Sequence, residues 1–421
     1  MKTRNLFNVQ TEMFVTTKLV NNRFSLINDD GEYVDRRVIG GRNVGRKVVG
    51  GNARKRNLIL DQGLNCMARK SGVTNCPGAA PAGAFTNLVV GSGTNPTATA
   101  SGAVTFTQAG TTITASGGFF TAAMAGCIFK YGTGSGGAEY YITVFTNSTT
   151  VTVDTSATVG TPEVATVYFV QQVGLQTLFT PTGTKTYQTN AGDCQSTYSG
   201  AIVTHKRTFI IPQQAGSYTV NEIGYGSNLV TSNANVVVGR IVLASSDVVG
   251  TSNFYLVVLE LNVTYSPAAP TAVGDVGTNI NTAGNAMMET FVGVNTVAST
   301  GLVSSTVNQV LDGTATATLK FATASYTQNS AIDTIGTPAW TTITIGAATQ
   351  AYLAASRGIM QWSFNSSVST SGQSLTGMGM TFTSSAFAQF DIKFTTPQTA
   401  PTGTFQPVSL FQIVYGRILT N

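Results

Sequence analysis

One histidine, His205, limits the acid–base chemistry this chain can host. Any Ser-His-Asp or Cys-His relay would have to run through it. It lies in Val203-Thr204-His205-Lys206-Arg207-Thr208-Phe209 and alternates with Arg207 on what reads as the solvent face of a strand. A surface or interface histidine is expected. Paired carboxylates for glycoside hydrolysis would have to come from the 12 acids after residue 70. Glu222, in Asn221-Glu222-Ile223-Gly224-Tyr225, and Glu260 are the strand-borne candidates. Their alternative role is a carboxylate that caps a loop or pairs with Arg207 or Arg240. The thiols Cys66, Cys76, Cys127 and Cys194 lack the close spacing of zinc sites, and one histidine cannot complete a Cys/His set. Free structural thiols are expected, with one oxidised pair as the alternative. Gly132-Thr133-Gly134-Ser135-Gly136-Gly137 lacks the Lys-Ser/Thr that ends a phosphate loop, so it reads as a hairpin turn. No catalytic residue, metal or cofactor is expected.

Charge points to a partner more clearly than to a reaction. The chain has 23 Lys/Arg and 18 Asp/Glu, and residues 1–70 hold 14 of the bases but only 6 of the acids. The densest stretch carries Arg36, Arg37, Arg42, Arg46, Lys47, Arg54, Lys55 and Arg56. Within it Val38-Ile39-Gly40-Gly41 recurs as Val48-Val49-Gly50-Gly51, and glycine pairs at that density exclude a helix. The segment reads as a flexible or extended basic arm that docks on an acidic neighbouring subunit. Non-specific contact with DNA phosphates is the alternative. Residues 36–56 contain no aromatic ring, so base stacking there is not expected.

The elements that must position these groups follow from composition. Only 10% of the 421 residues are charged, against roughly 25% in an ordinary globular domain. Gly supplies 45 residues and Thr 66, while 42% hydrophobic residues are enough for a real core. Helix formers are scarce and β-branched residues abundant, so the fold class is all-β. No apolar run is long enough for a membrane-spanning helix, and no secretory signal follows Met1-Lys2-Thr3-Arg4-Asn5. Residues 57–64 read as a short helix or a strand ending in a turn. Short strands at 104–106, 111–114, 127–131, 140–145 and 150–154 suggest a small inserted β module over 92–165. In 253–265, Tyr255, Val257, Leu259 and Leu261 share one face, while the other face turns polar at Glu260. Ser266-Pro267-Ala268-Ala269-Pro270 marks a boundary. The expected plan is a basic arm (1–57), a β-sandwich (58–91 and 166–270), the module (92–165), and a C-terminal sandwich or jelly roll (271–421).

Several short runs within this plan resemble a β-sandwich module of tailed-bacteriophage virion proteins. They are Phe85-Thr86-Asn87-Leu88-Val89-Val90-Gly91-Ser92-Gly93-Thr94, Val173-Gly174-Leu175-Gln176-Thr177, Arg207-Thr208-Phe209-Ile210-Ile211-Pro212, Asn221-Glu222-Ile223-Gly224-Tyr225 and Gly239-Arg240-Ile241-Val242-Leu243. Asn57-Leu58-Ile59-Leu60-Asp61-Gln62-Gly63-Leu64 is similar to the segment that precedes such a module. The resemblance covers about residues 57–265 and implies a non-enzymatic structural subunit of the virion, assembled in the bacterial cytoplasm. A neck, collar or tail protein that self-assembles is the leading expectation. Its partners would be copies of itself and portal, connector, tail or capsid proteins, with no membrane. Rival readings are a capsid decoration protein, a receptor-binding fibre whose Trp340, Trp362 and Phe364 form an aromatic platform, and a depolymerase using Glu222 or Glu260.

Overall fold

The computed structural model describes residues 3–27, 32–39, 42–67, 87–132, 138–172, 175–179, 194–199, 202–226, 239–267, 275–280, 317–322, 324–325, 340–342, 349–352, 359–364, 368–369, 374–382, 390–399, 404–405 and 409–419. The fold is all-β, as the scarcity of helix formers requires. The N-terminal strands are β1 (Thr3–Ile27), β2 (Tyr33–Ile39), β3 (Arg42–Gly50) and β4 (Lys55–Ile59). A seven-residue helix α1 (Asp61–Met67) and β5 (Asn87–Gly91) follow. The stretch over 57–64 is therefore both things expected of it, a strand end and then a helical turn.

Next comes a self-contained group: β6 (Ala98–Ala100), β7 (Phe106–Ala115), β8 (Ile128–Tyr131), β9 (Glu139–Asn147), β10 (Thr150–Glu163) and β11 (Ala165–Tyr168). These make one six-stranded sheet in the order β6-β11-β8-β9-β10-β7. In β10 the valines Val151 and Val153 are buried while Asp154 is exposed, so the alternation read from sequence holds. The core of this module is aromatic. Phe106, Phe119, Phe120, Phe129, Tyr131 and Tyr140 meet edge-on or tilted with centroids 4.9 to 6.0 Å apart. Each such pair adds roughly 0.5–1.5 kcal/mol beyond area burial.

The chain then returns as β12 (Leu178–Phe179), β13 (Cys194–Ser199), β14 (Ile202–Ile211), β15 (Tyr218–Gly226), β16 (Gly239–Val249) and β17 (Asn253–Pro267). The main sheet runs β12-β5-β15-β16-β4-β1-β17-β14-β13. It folds over at β4 until Phe209 of β14 meets Tyr225 of β15, with ring centroids 5.8 Å apart. The result is a sandwich joined along one side, nearly a closed barrel. Its interior takes Met13 and Val15 from β1, Tyr255, Val257, Leu259 and Leu261 from β17, and Val220 from β15. Burying each of the large side chains is worth about 1.5–3 kcal/mol.

C-terminal strands are β18 (Asp275–Ile280), β19 (Ala317–Ala322), β20 (Trp340–Thr342), β21 (Thr349–Tyr352), β22 (Ile359–Phe364), β23 (Val368–Ser369), β24 (Ser374–Phe382), β25 (Phe390–Thr399), β26 (Thr404–Phe405) and β27 (Ser409–Arg417). Five of them form a sheet in the order β18-β25-β24-β19-β20. β21, β22 and β27 instead join the main sheet, where β27 lies parallel to β1. The described strands of residues 271–421 thus divide among three sheets, β23 and β26 pairing only with each other.

The described part of residues 1–57, read from sequence as a flexible or extended basic arm, is made of strands. β1 pairs with β17 over fifteen consecutive positions, Phe7↔Pro267 to Asn21↔Asn253. The physical reason is an alternation that the basic residues obscure. Thr11, Met13, Val15 and Thr17 are buried on one face, while on the other Glu12, Thr16 and Lys18 keep contact with solvent and Phe14 is covered by Arg54 and Arg56. Gly51 then allows the turn into β4. Its φ is +126°, and a Cβ there would lie 2.1 Å from the Thr17 carbonyl oxygen.

Candidate functional site

Four of the short runs singled out in the sequence, those holding Gly93, Gln176-Thr177, Glu222 and Arg240, meet at one buried ion pair. Glu222 of β15 has no solvent exposure, and Arg240 of the adjacent β16 is 1% exposed. Arg240 donates from Nε to Oε2 of Glu222 at 2.8 Å, and its Nη2 makes an ion-pair contact with the same oxygen at 2.7 Å. The carboxylate also accepts backbone N–H bonds from Gly93 (3.1 Å) and Thr177 (2.8 Å) on Oε1, and from Gln176 (3.1 Å) on Oε2. Arg240 Nη1 reaches Gln172 Oε1 at 2.9 Å. Around the pair, Gln176 Oε1 accepts from the amides of Thr94 and Asn95, and Asn221 Nδ2 donates to the Ser92 carbonyl.

Two glycines make room for this hub. A Cβ on Gly93 would lie 2.4 Å from Glu222 Oε1, and one on Gly91 would lie 2.3 Å from the Thr177 carbonyl oxygen. The Gly-Ser-Gly run is therefore a close backbone approach to a carboxylate. The sequence offered loop capping and arginine pairing as alternatives for Glu222; the carboxylate does both, with Arg240 as partner. Its location also matters. Gly93 opens the segment that leaves for the inserted module, and Gln176 and Thr177 lie where the chain comes back. Both stems of the module are fixed to one carboxylate.

A second buried cluster sits where the N-terminal strands meet β16 and β17. Asp247, 4% exposed, accepts from Thr17 Oγ1 (2.6 Å), Tyr255 Oη (2.8 Å) and Asn52 Nδ2 (2.8 Å). Asn52 also donates to the Ser245 carbonyl, and its own amide donates to Thr17 Oγ1. Burial, with the Asp247 carboxylate beside it, raises the Tyr255 hydroxyl well above its ordinary range and keeps it a donor. Sequence reasoning missed this cluster, since Thr17, Asn52, Asp247 and Tyr255 share no motif.

The eight basic residues separate into two groups. Arg54 pairs with Glu260 at 2.7 Å and stacks 3.4 Å from the centroid of Phe14; Arg56 pairs with Glu12 at 2.6 Å and covers the same ring. Lys55 donates to the Val242 carbonyl. Arg54 and Arg56 are held on the outer face of the sheet with Phe14, while Lys55, in register with Val15, is exposed on the opposite side. The other five lie on the β2–β3 hairpin, with Arg36 and Arg37 on β2 and Arg42, Arg46 and Lys47 on β3. Arg46 lies over the Phe254 ring at 5.2 Å. Among the described residues β2 pairs with β3 alone, so this hairpin forms a margin of the sheet.

The remaining chemistry-bearing residues are placed as follows. Glu222 is sealed from solvent and Glu260 is held by Arg54, so these two do not form the substrate-flanking carboxylates of a glycosidase. Arg207, read as solvent-facing, is only 2% exposed, because its register partner Leu259 lies on the inner face of β17. His205 pairs in register with Leu261 on the same strands, and its side chain lies outside the described residues. Cys127 is a free buried thiol held by Gln171, with its pKa pushed up to about 12 by burial, which makes it unreactive. The side chains of Cys66 and Cys194, and all of Cys76, lie outside the described residues. Trp340 belongs to the five-stranded sheet, whereas Trp362 and Phe364 belong to β22 of the main sheet. No group of His, Cys, Asp and Glu among the described residues could hold a metal ion. No protein-family model, curated protein or solved structure matches the chain.

Proposed function

We propose that the chain is a non-enzymatic structural component of a tailed-phage virion, a neck/collar or tail protein that self-assembles. One observation carries the reading. Segments separated by up to about 150 residues, singled out because they resemble a virion β-sandwich module, converge on the Glu222–Arg240 pair and its loops. Such convergence is what a module built from these runs requires. The strong polar chemistry of that unit holds strands and loops in place and leaves no group presented to a substrate. A surface so poor in charge has little protection against association, which suits a subunit whose faces are covered by copies of itself. Docking on an acidic neighbour falls to the β2–β3 hairpin, where Arg36, Arg37, Arg42, Arg46 and Lys47 gather.

Quantitative mass spectrometry of particles purified from a culture producing the protein tests this reading. The chain is expected in the particle fraction at a small multiple of the tail symmetry, and light scattering of purified full-length protein is expected to give a closed oligomer. Absence from particles would overturn the proposal. Hundreds of copies per particle would replace the neck or tail position with capsid decoration.

A further inference from the structure

The inserted module leaves and rejoins the main sheet through two stems, residues 92–97 on the way out and residues 169–172 and 175–177 on the way back, which meet at the Glu222 hub. Adjacent side chains on the returning stem reach in opposite directions. Gln171 donates to the Ala123 and Ala125 carbonyls of the module, and Gln172 accepts from Arg240 of the hub. Two stems pinned at one place define an axis but do not by themselves fix rotation about it.

A third attachment comes from the far end of the sequence. Arg417, whose side chain is 3% exposed, donates from Nη1 to the Ile59 carbonyl at 2.6 Å. Its Nη2 contacts the Asp61 carboxylate on α1 and reaches Tyr141 Oη of the module at 3.2 Å. Lys130 of the module donates to the Leu419 carbonyl. The Leu419 side chain is buried among Leu58 and Leu60 of the main body, Ile128 and Tyr168 of the module and Val170 of the returning stem. Behind it, Ile418 N donates to the Thr11 carbonyl and Thr11 Oγ1 donates to the Gly416 carbonyl, fastening the segment to β1. Four consecutive residues thus grip β1, α1 and the module together.

We infer that residues 416–419 are a latch that sets the orientation of the inserted module on the main sheet. With the latch seated, the module is held at its stems and at the seam. With it unseated, the module keeps its own aromatic core and its stems but is free to pivot. The inference does not depend on a virion role, since it rests on the seam alone.

Hydrogen exchange on the full-length protein carrying Arg417→Ala and Leu419→Ala tests it. Peptides over 57–67 and 168–172, where Asp61 N donates to the Val170 carbonyl, are expected to exchange at least about tenfold faster. Peptides within β7 and β10 are expected to keep wild-type protection, and small-angle scattering should show a larger maximum dimension. Should the double variant fail to fold, Leu419→Ala alone is expected to give the same pattern at smaller amplitude. Unchanged exchange at the seam would overturn the latch. Equal loss of protection at the seam and within β7 and β10 would do the same, because it would report general destabilisation.

Discussion

Glu222 shows how one residue can hold several segments at a cost that its partners must offset. A carboxylate without solvent exposure is tolerated because Arg240 and three backbone amides supply donors in place of water. Removing one partner of such a pair leaves the other charge buried, which typically costs about 3–5 kcal/mol. Glu222→Gln is therefore expected to lower stability by about that amount in urea unfolding of the full chain. A loss below about 1 kcal/mol would mean that the hub does not hold the stems. Gly93→Ala is expected to destabilise by roughly 1–3 kcal/mol through overpacking, since the new methyl has nowhere to go between Gln176 and Glu222. Alkaline pH tests the buried tyrosines. Burial raises the hydroxyls of Tyr131, Tyr218, Tyr225 and Tyr255, and pushes Tyr168 to about 12. The folded state keeps these protons while the unfolded chain releases them above about pH 10. Stability is therefore expected to fall from about pH 10 upward, by at most about 1.4 kcal/mol per pH unit for each such group. Tyrosinate absorbance should lag for these groups and then rise together with unfolding.

Strands whose own residues settle their two faces were legible in the sequence, and strands whose faces are set by sheet closure were not. Val151 and Val153 in β10, and Tyr255, Val257, Leu259 and Leu261 in β17, announce a dry face by alternation, and all six are buried. Arg207 has the same period, yet parity alone does not say which face of β14 turns inward; pairing with Leu259 does. In β1, glycine-rich basic neighbours drew attention away from Met13 and Val15, so a paired strand read as an arm. The hub was half legible, because Glu222, Arg240 and the Gly91-Ser92-Gly93 turn each stood out while their meeting depends on long-range pairing. The β6–β11 module is the clearest independent element, with its own sheet and aromatic core. Excised as residues 96–170, it is expected to fold alone, giving a cooperative thermal transition and dispersed amide resonances. Collapsed resonances would show that the seam with Leu58, Leu60 and Leu419 is needed for its core.

At the scale of the whole molecule, β1 and β27 run side by side in parallel, so the two ends of the chain share one sheet. That pairing joins residues about 400 positions apart, a separation at which no local pattern can signal contact. It also changes how the C-terminal region can be studied. Truncation after residue 270 removes the five-stranded sheet, and with it β27, Arg417 and Leu419. It uncovers Leu58, Leu60, Ile128 and Tyr168 and removes the guanidinium that pairs with Asp61. Burial raises the Asp61 carboxyl and Arg417 opposes that shift, so Arg417→Ala in the full chain is expected to push Asp61 further towards its neutral form. The truncated chain is expected to aggregate or to melt at least about 10 °C below the full chain by scanning calorimetry, in line with several kcal/mol lost from the seam. A truncation that melted with the full chain would show the C-terminal strand to be dispensable. Loss of envelope binding in such a truncation would follow from a damaged main sheet as readily as from a missing receptor site. The receptor-binding alternative is better tested by Trp340→Ala and Trp362→Ala in the full chain, which leave β27 seated between β1 and β22.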